Sequence, residues 1–190
     1  MKRIGVLGGT FNPVHIGHLA IAESVCDDLK LKELLFVPCY YPPHKTKKSV
    51  IASKHRLNML HLAIADNSKF RICEDEIKRK GKSYSIDTLE GLVKRYPVKT
   101  AFDFIIGADM LTGLKNWRRI DDLAKLVRFV VVGRGGYAKK DIVYRHKIVP
   151  AHNLNISSSY LRRCLRLRKS VKYLLPEKVY AYIKRHKLYL

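Results

Sequence analysis

An apolar run, a glycine turn and a helical pattern follow one another near the start of the chain. The run is Ile4–Leu7, the turn begins at Gly8-Gly9 and the helical pattern begins at Ile16. Glycines let a backbone come close to a ligand. A helix N-terminus presents unpaired N–H groups and the positive end of its dipole to anions. The segment therefore predicts a strand, a turn and a helix arranged as a phosphate-binding site.

Two histidines stand at the predicted start of this helix. His15 and His18 are three positions apart, so both can lie on one face of the first turn. A lone histidine is usually structural, but a pair at this spacing after a glycine turn favours a functional role. Imidazoles donate hydrogen bonds and gain charge when protonated. We expect them to stabilise negative charge on a transferring phosphate, and not to act as nucleophiles.

Strand and helix patterns alternate along most of the chain. We predict strands over Ile4–Leu7, Glu33–Pro38, Lys69–Cys73, Ala101–Gly107, Arg128–Gly133 and His146–Val149. We predict helices over Ile16–Leu29, Ile51–Asp66, Ile86–Arg95 (with Ser85 as N-cap), Ala108–Trp117, Ser157–Arg168 and Pro176–Lys187, and a loop or edge over Glu74–Lys82. Such alternation predicts an α/β fold: a Rossmann-like, doubly wound parallel sheet with helices on both faces and a C-terminal helical segment. We expect one domain over residues 1–190, with ligands at the carboxyl ends of the strands.

Composition narrows the class of protein. The apolar content of 47% argues against disorder, and the net charge of +22 favours anionic partners, although a general enrichment in lysine would also produce it. No apolar run approaches the roughly 20 residues that span a membrane. The four cysteines are scattered without a CxxC pair, so no metal site is expected. Reduced thiols and the lack of a signal-peptide pattern favour a cytoplasmic protein.

The segment Gly8-Gly9-Thr10-Phe11-Asn12-Pro13-Val14-His15-Ile16-Gly17-His18 resembles the signature of the HxGH nucleotidyltransferases. Class I aminoacyl-tRNA synthetases share its His-Ile-Gly-His core, but the longer form is similar to bacterial nicotinate-nucleotide adenylyltransferases. That family often has Asp where this chain has Asn12. The resemblance implies adenylyl transfer from ATP to nicotinate mononucleotide in NAD biosynthesis, giving deamido-NAD and pyrophosphate. It also implies Mg²⁺ carried with ATP.

Further motifs extend this resemblance along the chain. They are Pro42-Pro43-His44-Lys45, His55-Arg56, Ser83-Tyr84-Ser85-Ile86-Asp87-Thr88-Leu89, Gly107-Ala108-Asp109, Gly133-Arg134-Gly135 and Ile156-Ser157-Ser158-Ser159-Tyr160-Leu161-Arg162. The family often has Pro at position 135 and Thr at position 85. Trp117 lies among Lys115, Asn116, Arg118 and Arg119, an unusually polar setting for a core residue, and its indole can stack on a pyridine ring.

The resemblance assigns roles residue by residue. The expected ATP-binding residues are Gly8, Gly9, Thr10, Phe11, His15, His18, Gly107, Asp109, Arg134, Ser158 and Arg162. The expected residues for the pyridine nucleotide are Asn12, Lys45, Arg56, Tyr84, Ser85, Thr88, Trp117 and Arg118. His15, His18, Ser158 and Arg162 are the expected catalytic set, because they would hold the triphosphate and the charge that develops on it.

Two other functions stay open. One is a different HxGH adenylyltransferase, such as the pantetheine-phosphate enzyme, against which Tyr84-Ser85 and Trp117 argue. The other is a basic nucleic-acid-binding module, but there basic and aromatic residues should interleave on a surface. We therefore expect neither nucleic acid nor a membrane as partner. The chain could act as a monomer or as a homodimer.

Overall fold

The computed structural model describes residues 2–41, 50–133, 143–150 and 154–190. The strands are β1 (Lys2–Gly9), β2 (Glu33–Pro38), β3 (Phe70–Ile72), β4 (Thr100–Gly107), β5 (Val127–Gly133) and β6 (His146–Pro150). The helices are α1 (Ile16–Asp28), α2 (Ser53–Ile64), α3 (Asp75–Arg79), α4 (Ser85–Arg95), α5 (Ile120–Leu126), α6 (Ser158–Arg166) and α7 (Glu177–Arg185). Two 3₁₀ helices, Ala108–Asn116 and Lys172–Leu174, complete the regular structure of these residues.

The six strands form one parallel sheet in the order β3-β2-β1-β4-β5-β6. The chain builds outward from β1 to β3 and then returns to place β4 on the other side of β1. The strand order therefore reverses between β1 and β4, and ligands of such sheets bind at the carboxyl ends of the strands beside this reversal. The predicted Rossmann-like, doubly wound architecture is confirmed.

Both faces of the sheet are buried, each under its own apolar cluster. Along β5, Val130 and Val132 belong to one cluster, and Phe129 and Val131 to the other, as the two-residue repeat of a strand requires. Residues of α1, α2, α6 and α7 cover the first face, and residues of α4, α5 and the longer 3₁₀ helix cover the second. Burial on both faces explains why the strands read as continuous apolar runs.

The structure corrects the sequence prediction in three places. Helix α3 lies within the segment that was predicted as loop or edge, and α5 was not predicted at all. Helix α4 begins at Ser85, and the N-cap is Tyr84 because its φ of −111° and ψ of 133° are extended. Helices of five and seven residues contain too few turns to show an apolar period.

The end of the chain folds back onto the first face. After α7, the Leu188 N–H donates to the Ile183 carbonyl at 3.1 Å. Lys187 and Tyr189 take left-handed φ values of 49° and 66°. Leu188 and Tyr189 then pack against the first apolar cluster. In the described parts of the chain, no helix has the length and apolar character needed to cross a membrane.

Candidate active site

The glycine turn lies at the carboxyl end of β1, beside the reversal in strand order. Phe11 is buried with a left-handed φ of 47°. A Cβ atom on Gly9 would lie 2.8 Å from the Phe11 ring, so only glycine fits where this ring meets the backbone. The Phe11 ring also makes an edge contact with His18, with 5.1 Å between ring centroids. The turn thus supports one of the two histidines directly.

His15 and His18 form a stacked pair at the N-terminus of α1. His15 is the N-cap residue, and the two ring centroids are 3.7 Å apart. His18 Nδ1 accepts a hydrogen bond from the His15 main-chain N–H at 3.2 Å. A neutral ring that accepts at Nδ1 carries its proton on Nε2, so His18 keeps Nε2–H as a donor. A Cβ atom on Gly17 would lie 3.1 Å from His15 Nδ1, which explains the glycine between the histidines.

Burial makes both imidazoles neutral in the ligand-free protein. It lowers the pKa of His15 to about 4. Burial first, and then the charge of His15, lowers the pKa of His18 well below 6.5. His15 Nδ1 is buried and makes no hydrogen bond of good geometry to the residues that the structure describes. A bound polyanion would favour the protonated forms and oppose the effect of burial.

Arg56 holds the turn from α2. It is 1% exposed, and it donates to the carbonyls of Thr10 at 2.8 Å, Tyr40 at 3.0 Å and Ile51 at 3.3 Å. Burial lowers the pKa of Arg56, and an arginine with a lowered pKa still carries its charge at neutral pH. Its expected contact with substrate stays a prediction. Of the three carbonyls that Arg56 contacts, that of Thr10 lies on the segment that precedes the histidines.

The start of α6 reaches the same turn from the far end of the chain. Ser157 is the N-cap and accepts from the Tyr160 N–H at 3.1 Å. The Ser158 hydroxyl donates to the Pro13 carbonyl at 2.9 Å. Arg162 Nη1 donates to the Asn12 carbonyl at 2.8 Å. Ser158 and Arg162 thereby contact the turn that leads into His15, and their expected contact with ATP stays a prediction.

A second group of predicted residues lies on the second face of the sheet, where Tyr84 and Trp117 pack against the second apolar cluster. Trp117 is half-buried and packs edge-on against Phe104 of β4, with 6.0 Å between ring centroids. The Arg118 guanidinium lies 4.6 Å above the ring centre of Tyr84, the N-cap of α4. The Tyr84 side chain makes no capping hydrogen bond to the first N–H groups of α4. This group can receive a flat ring and a carboxylate.

Residues at the end of β4 complete this edge. Asp109 is exposed at the start of the 3₁₀ helix Ala108–Asn116, and a Cβ atom on Gly107 would collide with its carboxylate. Gly8 lies at the end of β1, and a Cβ atom there would be 3.8 Å from the Phe104 ring. Phe104 therefore lies between the glycine turn and Trp117.

Thr88 has a different environment from the one expected of a ligand contact. It is 2% exposed, and its hydroxyl donates to Glu76 Oε1 at 2.7 Å. Burial raises the pKa of Glu76, while hydrogen bonds from Thr88 and Ser83 act in the opposite direction. The Ser83 hydroxyl also accepts from the Tyr40 N–H at 3.0 Å. Thr88 thus joins α3 to α4 beneath the Tyr84-Ser85 segment, and its contact with substrate stays a prediction.

Two expected residues, Lys45 and Arg134, lie outside the described residues. Two other residues, Glu76 and Tyr189, make contacts beside the site that the sequence analysis did not predict. Neither belongs to a motif that would have identified it. Within the part of the chain that the structure describes, no group of three His, Cys, Asp or Glu side chains could hold a metal ion.

Comparisons with known proteins show what the chain is similar to. A family model described as cytidylyltransferase-like matches residues 6–164. A "probable nicotinate-nucleotide adenylyltransferase" of Bacillus mycoides is 46% identical over 192 residues, covering 100% of this chain and 99% of the relative. One of Lactiplantibacillus plantarum is 46% identical, covering 99% of this chain and 88% of the relative.

Solved structures show the same fold. The nicotinic acid mononucleotide adenylyltransferase of Plasmodium falciparum, complexed with NaAD, superposes with a TM-score of 0.81 at 21% identity. The match covers 100% of this chain and 98% of that one. The same protein complexed with APC gives a TM-score of 0.80.

Proposed function

Because this chain belongs to the nicotinate-nucleotide adenylyltransferases of the cytidylyltransferase-like family, we propose that it transfers an adenylyl group from ATP to nicotinate mononucleotide. A 5′-phosphate oxygen of the mononucleotide attacks the α-phosphorus of ATP. The bond from that phosphorus to the bridging oxygen of the β-phosphate breaks as the new bond forms. The products are deamido-NAD and pyrophosphate, as NAD biosynthesis requires.

One observation carries this proposal: the stacked His15–His18 pair lies beside Ser158 and Arg162 at the end of β1. These side chains and the α1 N-terminus would hold the triphosphate from two sides. Reactions of this kind depend on positioning and on stabilising charge, without a covalent intermediate. The His18 Nε2–H and a protonated His15 would then donate to oxygens whose charge grows in the transition state.

The second substrate would bind on the other side of β1. Its pyridine ring would stack on Trp117, and its carboxylate would accept from the first N–H groups of α4 at Ser85. Arg118, which lies over Tyr84, adds positive charge there. Gly107 and Asp109, at the end of β4, would bind the nucleoside of ATP. This division of roles favours an acid over an amide on the pyridine ring.

Magnesium fits this site as a companion of ATP. Among the described residues no cluster of His, Cys, Asp or Glu could hold a metal ion, so phosphate and water oxygens would be the ligands of Mg²⁺. The ion would neutralise phosphate charge when bound. The protein's own part is to hold the phosphates in line through His15, His18, Ser158 and Arg162.

The test is a steady-state assay of pyrophosphate release with His18→Ala. Loss of one donor to a developing charge typically lowers kcat by about 100- to 1000-fold. The control is His61→Ala, which removes an exposed histidine of α2 and should leave kcat unchanged. A His18→Ala enzyme that folds and releases pyrophosphate at the wild-type rate would exclude the proposed role.

The same assay, run with nicotinate and nicotinamide mononucleotides, tests the second site. We expect kcat/KM to be at least about tenfold higher for the acid, because charge-assisted hydrogen bonds are stronger than neutral ones. Equal values for the two substrates would contradict the assignment of Ser85 and Arg118.

A further inference from the structure

The last turn of the chain touches the segment that carries the two histidines. The Tyr189 hydroxyl donates to Asn12 Oδ1 at 2.9 Å across 177 positions of sequence. Asn12 is 2% exposed and lies three residues before His15. The Asn12 main-chain carbonyl simultaneously accepts from Arg162. One residue of the turn is therefore held through both its main chain and its side chain.

The backbone around Tyr189 is folded into this position against its local preference. Lys187 and Tyr189 have side chains and yet occupy the left-handed region, which L-residues avoid. Such conformations persist when the surrounding structure over-determines them, and they cluster at functional sites. Here the Leu188 N–H bond to Ile183 and the packing of Leu188 and Tyr189 supply that surrounding structure.

The chemistry of this contact is well defined. Burial raises the pKa of Tyr189, and the nearby charges of Arg162 and Arg56 act in the opposite direction. The phenol therefore remains a donor at neutral pH. The Asn12 amide oxygen accepts but does not titrate. The bond requires the amide oxygen of Asn12, and not its NH₂ group, to face Tyr189.

We propose that Tyr189 is a positioning residue for adenylyl transfer, acting through Asn12 to hold the turn that places His15 and His18. This role rests on the function proposed above. Arg56 holds Thr10, Arg162 holds the Asn12 carbonyl and Ser158 holds that of Pro13. Tyr189 adds a side-chain contact from a third part of the chain, after α2 and α6.

The first test is Tyr189→Phe, which removes the hydroxyl and keeps the ring. We expect kcat to fall by about threefold to tenfold, the range set by one net hydrogen bond, while KM for ATP stays near wild type and Tm falls by no more than about 6 °C. In a double-mutant cycle with Asn12→Ala, the double variant should be no slower than Asn12→Ala alone. Additive effects or an unchanged kcat in Tyr189→Phe would overturn the proposal.

A measurement without substrate separates this proposal from the function itself. In the ligand-free protein, Tyr189→Phe should shift the imidazole NMR resonances of His15 and His18, assigned from single histidine variants. Tyr173→Phe is the control, because Tyr173 is 84% exposed and should shift neither resonance. Unshifted resonances in Tyr189→Phe would refute the positioning role. A wild-type protein that makes no deamido-NAD would refute the function, and the resonances would still report on Tyr189.

Discussion

The two sides of the candidate site are built differently. On one side, the histidine turn (residues 10–15) is held by side chains that donate to its own main-chain carbonyls. On the other side, the pyridine edge (Tyr84, Ser85, Trp117 and Arg118) is half-buried or exposed, and its aromatic and cationic contacts join one side chain to another. Phosphoryl chemistry requires its groups to be placed closely, whereas a stacked ring tolerates more freedom. We therefore expect the first side to determine the rate and the second to determine the affinity for the mononucleotide.

Among the variants that compare the two sides, Gly17→Ala should cause the largest fall in kcat, and it acts on the histidine side alone. The new Cβ would lie 3.1 Å from His15 Nδ1, so the ring must move. We expect kcat to fall by about tenfold, because the ring has to give by only a few tenths of an ångström, whereas a displacement of about 1 Å can cost about 100-fold. The measurement is steady-state kinetics with both substrates.

The matched control is Gly91→Ala in α4, where a Cβ atom has no neighbour within 4 Å. This variant should keep wild-type kcat and gain stability of about 0.5–1 kcal/mol from helix propensity. Similar losses of activity in both variants would remove the distinction between the two sides.

The second prediction concerns pH and stability. The folded pKa of His15 is lowered from 6.5 to about 4, so unfolded chains bind a proton that folded ones do not. The free energy of unfolding therefore has its full value above pH 6.5 and decreases as the pH falls toward 4. Between pH 8 and pH 5 the loss amounts to about 2 kcal/mol. Urea unfolding at these two pH values should show at least that loss in the wild type, because the lowered pKa of His18 adds to it, and a smaller loss in His15→Asn.

Trp117→Leu supplies the comparison for the pH experiment. No titrating group changes, so this variant should keep the full wild-type dependence of unfolding free energy on pH. If His15→Asn and Trp117→Leu lose stability equally between pH 8 and pH 5, the buried histidine is not the source.

Trp117→Leu should also produce the smallest catalytic effect. Loss of ring stacking should raise KM for nicotinate mononucleotide by about tenfold, in line with stacking energies of about 1–3 kcal/mol. The kcat value and KM for ATP should change little. A fall in kcat at unchanged KM would show that the pyridine edge also controls the chemical step.

Much of the fold was readable from the sequence, because long apolar strands and glycine turns leave local patterns. His15 and His18 were proposed from the glycine turn and their spacing, and Ser158 and Arg162 from the resemblance of their segment to a family motif. Tyr189 was not, because its hydroxyl meets Asn12 across 177 positions and one hydrogen bond leaves no period in the sequence. Burial of Arg56 was equally invisible, since an arginine on a short helical pattern looks the same whether it faces solvent or three carbonyls.

The carbonyl contacts of the histidine turn have an electrostatic consequence. Carbonyl oxygens carry partial negative charge, and three of them precede the histidines at Thr10, Asn12 and Pro13. Each accepts a hydrogen bond, two of them from guanidinium groups. These hydrogen bonds reduce the repulsion that the carbonyl oxygens would otherwise exert on an approaching polyphosphate. Arg56 and Arg162 thereby make the turn more attractive to an anion through the field they add, before either needs to contact one.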